Sequence, residues 1–187
     1  MHHAYVGGLL EHTLGVFKLC RSLCDLYSEL DRQSLLAGAL FHDLGKIREF
    51  SSGPINDYTD AGRLIGHMSL GLEILQPFLA KSGLEEPLKQ HLKHLILSHH
   101  GLHEYGAPCL PQTKEAFILH YADNIDAKMG QFRNLFTETE SPEPQWSAWQ
   151  SSLNRKIYKP TPTPGQDQNS QNDKAGALSQ CLSLWKE

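Results

Sequence analysis

Apolar residues along this chain recur at the three- and four-residue spacing of amphipathic helices, not at the alternating spacing of strands. From about Tyr5 to Tyr27 this spacing predicts a first helix that is largely buried, because two adjacent apolar stripes run along it. One stripe holds Leu10, Leu14, Phe17, Cys20 and Cys24, and the other holds Val16, Leu19, Leu23 and Leu26.

Two further helices are predicted in the first half of the chain. Asp31 is placed to cap the second helix, which runs to Leu44 and has Gly45 just beyond its end. Asp60 is placed to cap the third helix, which continues without interruption to Leu79. The apolar positions of this third helix are Leu64, Met68, Leu72, Leu75 and Leu79.

The fourth and fifth helices follow the same logic. The fourth runs from residue 88 to residue 100, with Pro87 in its first turn and Gly101 directly behind it. Thr113 is placed to cap the fifth helix, which extends to about residue 136. Because clean alternation never exceeds four residues and β-branched residues are sparse, we expect an all-α fold with five or more core helices.

The last third of the chain is less regular. Trp146, Trp149, Leu153 and Ile157 fit one face of a short extra helix. Residues 159–174 are rich in Pro, Gln, Asn and Asp and contain no Val, Ile, Leu, Met, Phe, Trp, Tyr, Cys or Ala, so this segment cannot bury enough apolar surface to order itself. We therefore expect one domain over residues 1–158 and a disordered or weakly ordered tail over residues 159–187.

Composition excludes several classes of protein. The longest apolar run, residues 35–41, is far shorter than the roughly 18 residues of a membrane span, and the start of the chain does not resemble a signal peptide. The net charge of −4 gives no bulk attraction to nucleic acid or membranes. The four cysteines form no C-x-x-C pair, which is typical of free thiols. We expect a cytoplasmic protein with no membrane partner.

Histidine is the unusual component, at 11 residues. Each of the five predicted helices carries a polar side chain at a position where its periodicity predicts a buried residue. Taken singly, a histidine or aspartate at such a position more often has a structural role. Taken together they must meet one another or a cation, because burying unpaired polar groups is costly. The residues are His12, His42, Asp43, His67, His99, His100 and Asp123.

These side chains offer imidazole and carboxylate ligands without thiolate. Such a set suits Mn, Fe, Co, Ni or Zn better than Mg, which prefers oxygen ligands in an octahedron. Seven ligands are more than one tetrahedral ion requires, and the two oxygens of Asp43 can bridge two ions. The sequence therefore predicts a centre of two divalent transition metal ions.

The spacing of these residues resembles a known signature. His12, His42-Asp43 and Asp123 are similar to the H…HD…D motif of the HD-domain metal-dependent phosphohydrolases. The resemblance implies an HD-domain helical bundle in which these four residues surround one metal ion.

The additional histidines resemble the variant of that superfamily that holds two metals. The resemblance implies that Asp43 bridges to a second ion bound by His67, His99 and His100. Over about residues 1–158 the chain is most similar to the HD domain of the YhaM-type 3′-to-5′ exoribonucleases. The stretches that carry this similarity are residues 2–13, 38–46, 58–67 and 92–101.

Proteins of the YhaM type also carry an N-terminal OB-fold module for single-stranded nucleic acid. No such module is present in this sequence. We therefore expect either a fragment of a longer protein or a free-standing HD protein.

Two basic residues are candidates for catalysis beside Asp43. Lys46, three residues later, could neutralise charge that develops on a phosphate, or could be a solvated lysine at a helix end. Arg63, one turn before His67, could bind a phosphate through its two-pronged guanidinium, or could pair with Asp60.

Four other residues could support the site. His120 could orient Asp123 from behind, with packing as the alternative. Asp126 could act as a base behind the ligands or form an ion pair on the helix face. Tyr58 and Tyr105 lie in loops near predicted ligands and could stack on a base, although packing is the default role.

Three functions agree with these features. The first is hydrolysis of phosphodiester bonds of RNA or short oligonucleotides from the 3′ end by a metal-activated water, as the resemblance implies. The second is a nucleotidase or phosphomonoesterase, and the third is a catalytically weak, metal-stabilised nucleotide-binding domain. The ligand set with Lys46 argues against the third. The expected partner is single-stranded RNA, an oligonucleotide or a nucleotide.

Overall fold

The computed structural model describes residues 7–51, 57–135 and 145–160. The chain divides into two units, residues 1–132 and 133–187, which are treated separately. Within the described ranges the helices are α1 (Gly8–Leu26), α2 (Arg32–Phe41), α3 (Lys46–Glu49), α4 (Asp60–Ile65), α5 (His67–Lys81), α6 (Glu86–Ser98) and α7 (Lys114–Leu135), with a 3₁₀ turn at His103–Tyr105. The all-α class is confirmed. No described helix is both long and apolar enough to cross a membrane.

The core of the first unit is built around α2. Val16 of α1, Leu35 of α2, Leu95 of α6 and Leu119 of α7 are fully buried in one cluster. A side chain at Gly38 of α2 would lie 2.9 Å from Leu95 and 3.3 Å from Leu119, so the bare glycine backbone allows α2 to pack closely against these neighbours. The polar residues proposed as ligands lie on these helices, as His12 and Asp123 do, or directly after them, as Asp43 does. The packing of the helices therefore positions these residues.

Helix α1 buries one face only. Its buried positions include His12, Val16 and Cys20, which follow one another at four-residue spacing. Leu10 is 73% exposed and Leu14 is 45% exposed, so the prediction of a largely buried helix was wrong for the first two residues of the stripe that contains them. Since His12 shares the buried face with Val16, the helix carries its imidazole into the interior.

The second helix begins as predicted and ends earlier. The side chain of Asp31 accepts hydrogen bonds from the backbone N–H groups of Gln33 and Ser34, which confirms it as the cap. The helix stops at Phe41 and not at Leu44, and the short helix α3, which was not predicted, begins at Lys46. Gly45 does not adopt the left-handed conformation of a helix terminator, since its φ is −64°. Instead it lies against the backbone of His67 and Gly71.

The predicted third helix is two helices. Gly66, with φ 78° and ψ 155°, ends α4 and begins α5. The cap of α4 is Thr59, whose Oγ1 accepts a hydrogen bond of 2.9 Å from the N–H of Gly62, and not Asp60. Leu64 is 85% exposed, because the break removes it from the line of the later apolar residues. As a result His67 is the first residue of α5.

The fourth and fifth helices match their predictions closely. Pro87 lies in the first turn of α6, and Gly101 behind that helix has a φ of 78°. The Oγ1 of Thr113 accepts a hydrogen bond of 3.2 Å from the N–H of Ala116 at the start of α7. The predicted end near residue 136 falls just outside the described residues, where α7 is described to Leu135.

The second unit contains a short β-hairpin where an extra helix was expected. Strands β1 (Gln145–Trp146) and β2 (Tyr158–Lys159) pair antiparallel, with Gln145 opposite Lys159 and Trp146 opposite Tyr158. A bridge between Gln150 and Arg155 closes the same hairpin, so the helical interpretation of Trp146, Trp149, Leu153 and Ile157 was wrong. Residues 161–187 lie outside the described residues, and the proposed boundary at residue 158 stays a prediction.

Candidate metal centre

Asp43 stands at the centre of the polar cluster. Its buried carboxylate lies in the turn that follows α2. The Oδ2 atom is 3.5 Å from Nε2 of His12 and 3.5 Å from Nε2 of His42. The Oδ1 atom is 3.5 Å from Nε2 of His67 and 3.7 Å from Nε2 of His99. The two oxygens therefore face two different pairs of histidines.

All seven residues proposed as ligands lie in this cluster, where they form two sets on either side of Asp43. Within each set the ligand atoms lie within 4.8 Å of one another, so each set could hold a metal ion. The first ligand set is His12 from α1, His42 after α2 and Asp123 from α7. The second ligand set is His67 from the start of α5 and His99 and His100 after α6.

Backbone carbonyls orient three of the histidines. His42 and His99 each place Nδ1 against the carbonyl oxygen three residues earlier, at 2.9 Å and 2.7 Å. His100 places Nδ1 2.6 Å from the carbonyl oxygen of Tyr105. Because a carbonyl oxygen only accepts, each Nδ1 must carry the proton and donate it. The lone pair of Nε2 is then left for the interior of the cluster.

Carboxylates orient the other two histidines. Nδ1 of His12 is 2.8 Å from Oδ2 of Asp126, and Nδ1 of His67 is 3.1 Å from Oε1 of Glu49. The same Glu49 oxygen accepts a hydrogen bond from the backbone N–H of His67. Carboxylate–histidine pairs of this kind hold metal ligands in proteins, because they fix the ring and raise its basicity.

Three buried atoms in the cluster have no hydrogen-bond partner within the described part of the chain: Asp43 Oδ1, His67 Nε2 and His99 Nε2. An unsatisfied buried polar group costs about 1–3 kcal/mol. All three atoms are acceptors that converge on one another, so another acceptor would not satisfy them, whereas a cation would. The residues present therefore fit a divalent metal with nitrogen and oxygen ligands.

The two carboxylates of the cluster are held in the ionised form. Burial raises the pKa of Asp43, but His42, Lys46 and the other histidines around it outweigh burial and hold that pKa well below its usual range. Burial likewise opposes ionisation of Asp123, and the hydrogen bond from His12 lowers its pKa despite burial. These two carboxylates thus present negative charge to a cation without having to lose a proton.

The pKa of His12 is raised above the ordinary value of a histidine. Burial lowers its pKa, but the hydrogen bonds with Asp123 and Asp126 and the charge of Asp43 raise it to about 9. His12 is therefore protonated at neutral pH when no metal is bound, and a metal must displace that proton from Nε2.

Metal uptake is expected to release a proton from His12 at pH 7 and to release almost none at pH values above 9. The apparent affinity should fall by about tenfold per pH unit below 9, because one proton competes with the metal. Calorimetric titration with Mn²⁺ in buffers of different ionisation enthalpy measures the protons released. In the control variant Asp126→Asn, which removes one charge that raises this pKa, fewer protons should be released at pH 9, where wild-type His12 is about half protonated. Equal release from both proteins at pH 9 would contradict the assignment.

A cavity of about 300 Å³ opens beside the two ligand sets. It reaches His100 of the second set and Asp123 of the first, so a molecule bound there would touch both. Its other lining residues include Lys46, Tyr105, His120, Asn124, Lys128 and Gln131.

The two basic residues proposed for catalysis have different surroundings. Nζ of Lys46 lies 2.6 Å from Oδ2 of Asp43, and Lys46 lines the cavity. Arg63 is exposed, binds Oδ1 of Asp57 at 3.0 Å and lies over the ring of Tyr58 at 5.6 Å. It does not line the cavity, and its expected pairing with Asp60 is replaced by the pairing with Asp57. Arg63 lies on α4, and Gly66 separates α4 from α5, which begins with His67. Arg63 therefore does not lie one turn before His67 on a single helix, as the sequence predicted.

Of the four supporting residues, Asp126 lies behind the ligand His12 as expected, and His120 acts at another point than expected. Nδ1 of His120 donates to the carbonyl oxygen of His99 at 2.9 Å, so His120 supports the segment after α6 and not Asp123. Tyr58 packs against Phe50 with ring centres 4.8 Å apart, which is the packing alternative. Tyr105 lines the cavity and is largely exposed, so it remains available to a ligand.

Sequence reasoning missed Glu49 entirely. The second helix was predicted to end at Leu44, so Glu49 lay outside every predicted helix. No helical periodicity therefore indicated that its side chain is buried. The available signal was chemical: a buried histidine ligand usually donates its second N–H to a carboxylate or a carbonyl, so each predicted ligand needs such a partner.

Residues 9–128 match the HD domain in a comparison with known protein families. This range contains all seven proposed ligands. The chain belongs to the HD-domain family. It is 40% identical over 160 residues to the 3′-5′ exoribonuclease YhaM of Bacillus subtilis (strain 168), a match covering 86% of this chain and 51% of that protein. The protein of the same name from Bacillus velezensis (strain DSM 23117 / BGSC 10A6 / LMG 26770 / FZB42) is 41% identical over the same shares.

The chain spans about half the length of these curated relatives. Among solved structures it is similar to the crystal structure of the L. monocytogenes phosphodiesterase PgpH HD domain, with a TM-score of 0.45 and 21% sequence identity. That match covers 70% of each chain.

Proposed function

We propose that this protein is a metal-dependent phosphohydrolase that cleaves phosphodiester bonds of RNA or short oligonucleotides from the 3′ end. The observation that carries the proposal is the buried Asp43 carboxylate, whose two oxygens face two separate histidine groups. Membership of the HD-domain family supports the reaction class, and the names of the YhaM relatives support the substrate.

The centre is proposed to hold two ions, one in each ligand set, with Asp43 between them. The candidates are Mn, Fe, Co, Ni and Zn, because imidazole and carboxylate ligands suit these metals, and manganese is the ion proposed for the assays. The described cysteines, Cys20, Cys24 and Cys109, belong to neither ligand set, so thiolate does not compete for the choice. Their free thiols also agree with the proposed cytoplasmic location.

Bound divalent ions would lower the pKa of a water molecule and stabilise the attacking and leaving oxygens of a displacement at phosphorus. The chain supplies the rigid surroundings for this chemistry. Hydrogen bonds at Nδ1 fix every histidine ring before a ligand arrives. Lys46 holds the Asp43 carboxylate through a 2.6 Å ion pair and presents its stem to the cavity.

The protein is proposed to bind only the end of its substrate, at the cavity, and not to contact a longer stretch of the nucleotide strand. The net charge of −4 provides no general attraction to a polyanion, so binding depends on the metals and the few cations near them. A cavity of about 300 Å³ is at the small end of ligand pockets, which suits one terminal nucleotide.

Activity on single-stranded RNA is expected to depend weakly on length beyond about three nucleotides and on salt, changing by less than about tenfold between 50 and 200 mM, because few phosphates are neutralised. Rates on 3′-labelled oligonucleotides of increasing length, with Mn²⁺ present, measure both dependences. A rate that climbs steeply with length and collapses with salt would contradict local binding.

The same assay tests the proposed function against its alternatives. Single-stranded RNA should lose nucleotides from its 3′ end, and duplex RNA should be a poor substrate. Release of phosphate from nucleoside monophosphates without cleavage of diesters would instead establish a phosphomonoesterase. Nucleotide binding without any turnover would establish a binding domain. The variant Asp43→Ala is the negative control for each reaction.

A further inference from the structure

The two cations that sequence reasoning assigned to phosphate binding already have acidic partners. Lys46 is paired with Asp43, and Arg63 is paired with Asp57. Neither charge is free to balance a second phosphate of a substrate. A nucleotide strand brings one negative charge per phosphate, so another group near the cavity should meet that charge.

Lys128 is a cation of this kind. It lies on α7, five residues after Asp123, and it is half-buried in the wall of the cavity. No hydrogen bond or ion pair of Lys128 is found among the described residues. An ammonium group without a carboxylate partner in the wall of a cavity is suited to bind an anion.

Two amide side chains extend the same face of the helix. Asn124, Lys128 and Gln131 follow one another at i, i+4 and i+7, and all three line the cavity. We call these three residues the α7 strip. The Oε1 atom of Gln131 is buried and has no hydrogen-bond partner in the described part of the chain. The side chain of Gln131 therefore has hydrogen-bonding capacity that the described residues leave unused.

We propose that the α7 strip binds the part of the substrate next to the bond that is cleaved, with Lys128 bound to the neighbouring phosphate. Five residues of helix separate Lys128 from the proposed metal ligand Asp123 by about 7.5 Å along the axis, which suits the next phosphate along a strand and not the phosphate at the metal centre. This inference rests on the proposed function. Lys128 would favour a nucleotide strand over an isolated phosphodiester, because only the strand carries a neighbouring phosphate.

The test compares two substrates that differ in this second phosphate. The dinucleotide pApA carries a phosphate next to the cleaved bond, whereas bis(4-nitrophenyl) phosphate carries none. In Lys128→Met, the ratio of kcat/KM for pApA to kcat/KM for bis(4-nitrophenyl) phosphate is expected to fall about 10- to 100-fold, the effect of losing a hydrogen bond to a charged group. Lys128→Arg, which keeps the charge, should retain most of the ratio.

A matched control removes the same charge elsewhere. Lys81 is exposed at the end of α5, 14 residues and therefore about 21 Å along the helix from His67. Lys81→Met should leave the ratio within about threefold of the wild-type value, because it changes net charge without touching the cavity. Equal ratios in wild type and Lys128→Met would overturn the proposal, as would equal falls in Lys128→Met and Lys81→Met.

A binding measurement separates this proposal from the proposed function. Calorimetry on the Mn²⁺-loaded protein compares adenosine 3′,5′-bisphosphate with adenosine 5′-monophosphate. Wild type should bind the bisphosphate about tenfold more tightly, and Lys128→Met should lose this preference while Lys81→Met keeps it. If wild type cleaves no phosphodiester, the proposed function fails, yet this preference still decides the role of Lys128. No preference in wild type would overturn the inference.

Discussion

Asp43→Ala is expected to remove metal from both ligand sets and to reduce hydrolysis by at least about a thousandfold. Its two oxygens are the atoms that face both histidine groups, at 3.5–3.7 Å from the nearest nitrogens. Losing the several kcal/mol that a metal contributes to charge stabilisation corresponds to a rate loss of that size. Metal content per chain by mass spectrometry and the rate on a short RNA measure the two effects.

Lys46→Met is the matched comparison for this experiment. It removes the ion pair with Asp43 and leaves all seven proposed ligands in place. We expect this variant to retain metal and to lose about ten- to a thousandfold in turnover, the range for removal of one charge-stabilising donor. Asp43→Asn, which keeps the shape of the side chain, separates loss of charge from loss of packing. Equal metal loss in Asp43→Ala and Lys46→Met would show that Asp43 does not bridge the two sets.

Gly45→Ala is expected to cost about 3 kcal/mol of the free energy of unfolding and to weaken metal binding at the second ligand set. A methyl group on Gly45 would overlap the carbonyl oxygen of His67 and lie 2.6 Å from the backbone nitrogen of Gly71. These are backbone atoms that cannot rotate away, so the start of α5 must shift and carry His67 with it. Urea unfolding of the metal-free protein measures the stability change without a contribution from bound metal.

Gly71→Ala adds the same methyl group from the other side of this contact. Its nearest neighbour would be the backbone nitrogen of Gly45, at 3.2 Å. Alanine is better than glycine in a helix interior by about 1 kcal/mol, which offsets the milder crowding. We therefore expect a change within about 1 kcal/mol and near-normal metal content. If Gly45→Ala is equally mild, the approach of α3 to α5 is looser than the structure indicates.

The helices and the ligand positions could be predicted because both depend on local periodicity. A helix whose apolar residues follow Val16 and Cys20 must carry His12 on the same face, whatever it packs against. The same argument located Asp43 and Asp123 before any contact was known. Periodicity predicts which face of a helix is buried. In this protein the buried faces carry their polar residues to one cluster around Asp43.

The break at Gly66 could not be predicted, because the apolar pattern of α5 continues the pattern of α4. Glycine is tolerated inside helices, so a single Gly66 does not announce a boundary. The cause lies in a contact remote in sequence, the approach of Gly45 to the carbonyl of His67. The misassigned hairpin has a different cause, since short apolar segments such as the one containing Trp146 and Trp149 fit either helix or strand.

The choice between free and paired cations also depends on tertiary structure. The sequence indicated Lys46 as a phosphate-binding cation because it is close to Asp43. In the structure its positive charge is balanced by the carboxylate of Asp43. Lys128 attracted no attention, because a lysine on a long helix usually points to solvent. Its place in the wall of the cavity is what distinguishes Lys128 from a solvated lysine.

The anchors behind the histidines divide the ligands into fixed and adjustable members. His42 and His99 donate to carbonyls of their own helices, so no replacement of a neighbouring side chain can remove those acceptors. His12 and His67 rely instead on the side chains of Asp126 and Glu49. Changes behind metal ligands alter affinity by about 10- to 100-fold. Each ligand set thus has one histidine through which mutation can tune its metal independently, while the coordinating residues themselves stay the same.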